Sequence, residues 1–276
     1  MLHQPTAAAS DSVHAGDETA PDAFLARYLA RIGYRGALAP TLDVLAALQA
    51  AHIAAIPFEA IDALTGAGVD IGAAAVEAKL IGQRRGGYCF EQNGLFLRAL
   101  RAIGFEAEGL IGRVRWMLPD DAPPTPRSHM VVRVKIDGRA WLADVGFGAA
   151  VPPQPLAMDD EAPQPTRHES YRIVRQGAEW QVAALIESEW RTLYRIEDAP
   201  PPAIDYEVGN WYTSAHPDSH FRHQLIAART SAEARYGLRD NRLTVRLADG
   251  RIDDADSLEL QAMSIVRTLH ARLEPR

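Results

Sequence analysis

Two adjacent glycines, Gly86 and Gly87, stand directly before Tyr88 and Cys89, and an apolar pattern runs on from there. Phe90, Leu95, Phe96, Leu97, Leu100 and Ile103 recur at helical spacing, and Gly104 stands where a helix would close in left-handed backbone. The chain must therefore turn tightly and enter a helix at Cys89. A helix N-terminus offers amides without intrahelical acceptors and the positive end of the helix dipole, and both favour a thiolate over a thiol. The glycines let a backbone or a ligand approach the sulfur. Cys89 is the single cysteine of 276 residues. A buried core thiol accounts for a lone cysteine as readily, so this stretch by itself assigns no role.

One cysteine cannot form an internal disulfide, which fits a reducing compartment, with cytoplasm as the expectation. A net charge of −7 argues against nucleic acid as a partner, because a phosphate backbone needs a basic surface. No apolar run approaches the ~18 residues of a membrane span, so no membrane partner is expected. The first residues are rich in Ala, Ser and Asp without an apolar run, and residues 1–21 read as a loose extension rather than a secretory signal.

Helical spacing predicts helices over 22–32, closed by Gly33, over 41–52 with Thr41 as N-cap, and over 73–81. Residues 22–105 are thus a mainly helical section carrying Cys89. The pattern then changes to strands over 109–116, 129–136, 139–145, 170–174, 180–186 and 190–196, so 106–213 reads as a small barrel or strongly curved antiparallel sheet. Residues 214–276 read as mixed, with a helix over 219–228, a strand over 241–247 and a C-terminal helix over 257–273.

One hairpin permits a geometric test. Asp137-Gly138 between alternating runs is a strong two-residue turn signal. If these two residues form the turn, Ile136 pairs with Arg139 and Val131 faces Asp144. His129 lies two residues beyond Val131 on the same face, so His129 and Asp144 are diagonal neighbours about 7–8 Å apart at the backbone. The opposite face carries Met130, Val132, Val134, Trp141, Ala143 and Val145, which leaves the His–Asp face as the less apolar one. A histidine held by a carboxylate is a general base in a fixed tautomer, and a nearby cysteine would complete an activated nucleophile. Whether Cys89 lies beside them in space is not given by spacing.

The remaining candidates carry less. His216, His220 and His223 cluster without a cysteine or a zinc motif, so no metal is expected. Gly146-Phe147-Gly148 resembles a piece of a dinucleotide-binding loop without its third glycine, yet it can admit a phosphate or a pantetheine arm.

Taken together, these stretches resemble one family. Arg85-Gly86-Gly87-Tyr88-Cys89-Phe90-Glu91-Gln92-Asn93 resembles the active-site segment of the arylamine N-acetyltransferases, and Ser128-His129 through Asp144-Val145-Gly146-Phe147-Gly148 resembles their second signature. Tyr28 to Tyr34, Ile56-Pro57-Phe58-Glu59 and Asn210-Trp211-Tyr212-Thr213-Ser214 are similar to further motifs of that family. The resemblance implies an α+β fold: an N-terminal helical bundle, a central antiparallel β-barrel and a C-terminal α/β lid, around a papain- or transglutaminase-like cysteine core. It implies a catalytic triad of Cys89, His129 and Asp144. The implied reaction is acetyl transfer from acetyl-CoA to an arylamine, arylhydrazine or arylhydroxylamine, by a ping-pong route through an acetyl-cysteine. It also implies CoA contacts at Thr125, Ser128, Gly146, Phe147 and Gly148 and acceptor contacts at Phe58, Tyr88 and Phe147. The opposite charges of Glu59 and Arg85, on the two segments flanking the site, lead to the further expectation of a buried ion pair bracing the glycine turn. Two other readings share these residues: an amide synthase or other acyltransferase on the same scaffold, and a transglutaminase-like cysteine hydrolase.

Overall fold

The computed structural model describes residues 20–119 and 121–253. The helical section comprises α1 (Ala20–Ile32), α2 (Leu42–Ala55), a two-residue strand β1 (Phe58–Glu59), short α3 (Ile61–Thr65) and α4 (Ala73–Glu77), and α5 (Cys89–Ile103). Thr41 caps α2 by accepting from Val44 N, and Gly33 and Gly104 close α1 and α5 at φ of 71° and 104°. The helix expected over 73–81 is α4 continued by a wider π turn at Ala78–Gly82.

The central strands are β2 (Glu106–Val114), β3 (Arg127–Ile136), β4 (Arg139–Ala143), β5 (Leu156–Ala157), β6 (Tyr171–Gln176), β7 (Glu179–Ile186) and β8 (Glu189–Glu197). They form one antiparallel sheet in the order β5-β4-β3-β2-β8-β7-β6. Gln164 draws its two edges together into a nearly closed barrel. Its main chain pairs with Tyr171 at the start of β6, at 2.7 and 3.0 Å, and its side-chain amide both accepts from Ala157 N and donates to Ala157 O of β5. Closing a sheet in this way removes its unpaired edges.

The β3–β4 hairpin has the expected register, with Ile136 opposite Arg139 and Val132 opposite Ala143. The assignment of its faces needs correction. Val132, Val134, Ala143 and Val145 pack against the helices, in a core shared with Phe24, Tyr28, Leu45 and Phe96. The face bearing His129 and Asp144 is no less buried: Val131 and Leu142 on it join Leu110, Tyr171, Ile173 and Tyr194 inside the barrel. Curvature makes an interior out of the face that an open sheet would leave to water.

The chain continues with α6 (Ala203–Ala215), β9 (Ile226–Thr230), β10 (Ala234–Arg239), β11 (Arg242–Leu247) and β12 (Ile252–Asp253). A second antiparallel sheet runs β1-β9-β10-β11-β12. The helix expected over 219–228 is instead a single 3-10 turn, His220–Arg222, followed by β9, whose Ala227 and Ala228 pair with Glu59 and Phe58. Strand pairing to β1 and β10 overrides a weak local helical pattern there. The helix expected over 257–273 lies outside the described residues.

α6 packs with its small face inward. Gly209, Asn210, Thr213 and Ser214 are buried, while Ile204, Val208 and Trp211 are exposed. A Cβ on Gly209 would stand 2.6 Å from the carbonyl oxygen of Arg127 and 2.8 Å from the Phe90 ring, so glycine allows this close approach to β3 and α5.

Candidate active site

α5 places Cys89 at its first residue. The preceding turn is held by contacts that glycine alone permits: a Cβ on Gly86 would meet the Pro57 carbonyl oxygen at 2.3 Å, and one on Gly87 would meet Glu91 Oε2 at 2.8 Å. Glu91, on the first turn of α5, accepts from Tyr88 N at 3.1 Å. Burial raises Glu91 to about 7, against the pull of the Lys79 ammonium 2.6 Å away. Glu59 and Arg85 form the expected ion pair at 3.0 Å. Asp62 joins it, accepting from Arg85 at 2.6 Å and from Lys79 at 2.7 Å. Two cations therefore hold three carboxylates under the glycine turn.

Cys89, His129 and Asp144 are all buried, at 4%, 2% and 1% exposure, which removes most bulk water from their interactions. The thiol lies against the β3 entry, with Sγ 3.4 Å from the Ser128 carbonyl oxygen. His129 Nε2 is 2.8 Å from Asp144 Oδ2, so Asp144 fixes one ring nitrogen and leaves Nδ1 for the cysteine. Burial pulls His129 down, but the Asp144 charge and hydrogen bond, together with the Cys89 side chain, raise it to about 10. Burial likewise pushes Asp144 up, but the His129 charge and the hydrogen bonds from His129, Asn93 and Gly146 N hold it below the usual carboxylate range. Both shifts run in the same direction, each partner favouring the charged form of the other.

Asp144 has a full set of donors. Oδ1 accepts from Asn93 Nδ2 at 3.0 Å and Gly146 N at 2.8 Å, and Oδ2 accepts from Tyr194 Oη at 3.0 Å besides His129. Asn93, one helical turn after Cys89, also donates to Met130 O at 2.7 Å and accepts from Val145 N at 3.0 Å. It therefore ties the cysteine helix to β3 and to the segment that directly follows β4. Gly146 lies against the Cα of Cys89, where a Cβ would stand at 2.7 Å.

The other residues singled out in the sequence occupy two surroundings. Phe147 packs its ring 4.9 Å from both His129 and Tyr194. Gly148, at φ 61°, faces Phe58, whose ring lies 6.0 Å from Phe221. Tyr88 is buried between Phe90 and Phe221, at 5.9 and 6.1 Å, and its hydroxyl donates to the Asn210 side chain of α6. Ser128 contributes its carbonyl oxygen to the thiol. Thr125 donates its hydroxyl to Val114 O at 2.7 Å, which pins the loop ahead of β3. Of the three grouped histidines, His216 stacks on Tyr212, His220 packs on Phe221, and His223 bonds Pro217 O. Among the described residues no group of three or more His, Cys, Asp or Glu side chains could hold a metal ion, and no helix is long and apolar enough to cross a membrane.

Sequence reasoning missed Asn93 as a ligand of Asp144, Tyr194 as its second donor, and Phe221 as a wall beside Phe58. Asn93 had a usable signal, four residues from Cys89 and so on the same helical face. Tyr194 and Phe221 had none, because each arrives from a distant element.

The geometry can be set beside known proteins. The family model described as N-acetyltransferase matches residues 41–273. An arylamine N-acetyltransferase of Mycolicibacterium smegmatis is 47% identical over 225 residues, covering 80% of this chain and 82% of that protein. The human arylamine N-acetyltransferase 1 is 28% identical over 256 residues, covering 86% and 88%. The solved structure of the Mycobacterium marinum arylamine N-acetyltransferase superposes with a TM-score of 0.84 at 38% identity, over 91% of this chain and 95% of that one. The same protein in complex with CoA gives 0.83. Motif order, barrel, site geometry and these likenesses agree: the chain belongs to the arylamine N-acetyltransferase family of acyltransferases.

Proposed function

We propose that this protein transfers an acetyl group from acetyl-CoA to arylamines, arylhydrazines or arylhydroxylamines, in two half-reactions through an acetyl group on Cys89. The observation that carries the reading is the buried line Cys89–His129–Asp144, with its cysteine at a helix N-terminus and its histidine fixed by a carboxylate at 2.8 Å. In the first half-reaction the Cys89 thiolate attacks the thioester carbonyl. The C–S bond to CoA breaks, and the His129 proton goes to the departing CoA thiolate. The first turn of α5 supplies backbone amides for the oxyanion.

Acetylation takes the Cys89 sulfur out of its interaction with His129, and with it part of what raised that imidazole. His129, now neutral, accepts the proton of the attacking amine. The new C–N bond forms, the Cys89–acetyl bond breaks, and the thiolate is restored. An aromatic amine is uncharged at neutral pH and can attack without first losing a proton. Phe58, Phe147 and Phe221 offer aromatic surface to such a ring. The Gly146–Gly148 loop borders the sulfur on one side, where Gly146 lies against Cys89, and the Phe58 ring on the other, where Gly148 faces it, so a CoA arm reaching the thiol would run along this loop.

The test is incubation with acetyl-CoA alone, followed by intact mass and peptide mapping. One added acetyl group on the peptide containing Cys89, released by an arylamine, is the expected result. No adduct, or turnover of glutamine peptides without CoA, would refute the reading.

A further inference from the structure

A second buried polar line runs behind the site and takes no part in the reaction above. Tyr28 of α1, His52 of α2 and Gln92 of α5 are each fully buried. Tyr28 Oη is 2.9 Å from His52 Nδ1, and His52 Nε2 is 2.7 Å from Gln92 Oε1. Gln92 Nε2 faces carbonyl oxygens: Pro57 at 2.8 Å, Gly87 at 3.2 Å and Ile56 at 3.4 Å.

These contacts fix every proton in the line. An amide nitrogen must face the carbonyls, so Gln92 turns its oxygen to His52. His52 then carries its proton on Nε2 and donates it. Nδ1 is left as an acceptor, and the Tyr28 hydroxyl donates to it. Burial lowers His52 to about 4 despite the Gln92 hydrogen bond, so the ring is neutral in the working range. A buried network with one assignment for each proton rigidifies what it touches.

What it touches is the seam between acceptor wall and nucleophile. Pro57 directly precedes Phe58, and Gly87 stands two residues before Cys89. These segments already pair: Gly87 N donates to Pro57 O at 3.3 Å and Glu59 N donates to Gly87 O at 3.0 Å. The Gln92 amide spans both acceptors of this small ladder. Three residues after Cys89 on the same helix, it sets how far the Phe58 segment stands from the sulfur.

We propose that Tyr28, His52 and Gln92 are positioning residues that set the gap between Phe58 and Cys89, and thereby the fit of the acceptor amine rather than the acetylation of the cysteine. The proposal rests on the acyl-transfer reading above. A line that merely stabilised the fold would affect both half-reactions alike.

The test uses the full chain with Gln92→Leu, Tyr28→Phe and His52→Gln. Gln92→Leu is expected to speed hydrogen exchange at the Gly87 and Glu59 amides about tenfold while leaving Phe96 to Leu100 unchanged. It is expected to raise the KM for para-substituted anilines about fivefold, with kcat and single-turnover acetylation of Cys89 by acetyl-CoA within about twofold. Tyr28→Phe should act in the same direction more weakly, and decides the matter if Gln92→Leu does not fold. His52→Gln can still donate to Gln92 and accept from Tyr28, and should stay near the unmutated values. Unchanged exchange, or equal losses for acetyl-CoA and amine, would overturn the proposal. If the unmutated protein takes no acetyl group on Cys89, the proposed function and the acceptor role fall together. The exchange rates then still decide whether the line holds the seam.

Discussion

Gly146 and Cys89 touch backbone to side-chain space: a Cβ on Gly146 would lie 2.7 Å from the Cα of Cys89 and 2.7 Å from Asn93 Nδ2. Neither neighbour can yield cheaply, because one is helix backbone and the other holds Asp144. Gly146→Ala is therefore expected to cost about 1–3 kcal/mol, as overpacking does. It should also push Asp144 away from its donors. Thermal unfolding measures the first effect, and acetylation of Cys89 should fall even at temperatures where the variant is folded.

Cys89→Ala should abolish acetyl transfer while leaving the fold. The side chain is small, and its truncation should cost only about 1 kcal/mol. Retained turnover would remove Cys89 as nucleophile. A variant that does not fold would make it a structural thiol.

Phe147→Ala should change selectivity among anilines more than it changes acetylation of Cys89, because the ring borders the site as a wall, 4.9 Å from His129. Equal loss in both half-reactions would place Phe147 on the CoA side instead.

The His129–Asp144 pair predicts a pH signature of stability. The folded-state value of His129 is raised from 6.5 to about 10, so its contribution is complete below about 6.5 and is lost as pH rises toward 10. Asp144 is depressed from 3.8, so its contribution is present above that value and lost as pH falls below it. The melting temperature of the unmutated protein should thus exceed that of His129→Gln most between about pH 4 and 6.5, and the gap should narrow from pH 6.5 to 10. A gap that widens over the alkaline range would falsify the charged pairing.

Arg85→Met should leave Glu59 and Asp62 short of a cation in a half-buried setting, with Lys79 remaining. Breaking such a pair costs about 3 kcal/mol. The loss should appear as a lowered midpoint in urea with little change in slope.

What could be read from the sequence was local. The Asp137-Gly138 turn gave the register that brings His129 to Asp144, and Gly86, Gly87 and Gly104 bounded the cysteine helix. Barrel closure through Gln164 was not local, so the burial of the His129 face was not visible. α6 was missed for a different reason: its buried face is Gly209, Asn210, Thr213 and Ser214, and its large apolar residues point outward. Hydrophobic periodicity presumes that large residues face inward, and here close approach of backbones replaces that rule. Phe221 and Tyr194 reach the site only through tertiary packing, which spacing cannot encode.

His129 and Asp144 come from one two-residue hairpin, while Cys89 arrives on a helix from the other section. Contacts so near in sequence close at small entropic cost and can form early, whereas docking α5 on the barrel requires the long-range core. A chain that has folded only the hairpin holds His129 near Asp144 with Cys89 not yet beside them. A chain that has made only the helix holds a sulfur with no base. On the proposed mechanism, activation of the thiol is thereby tied to completion of the tertiary structure.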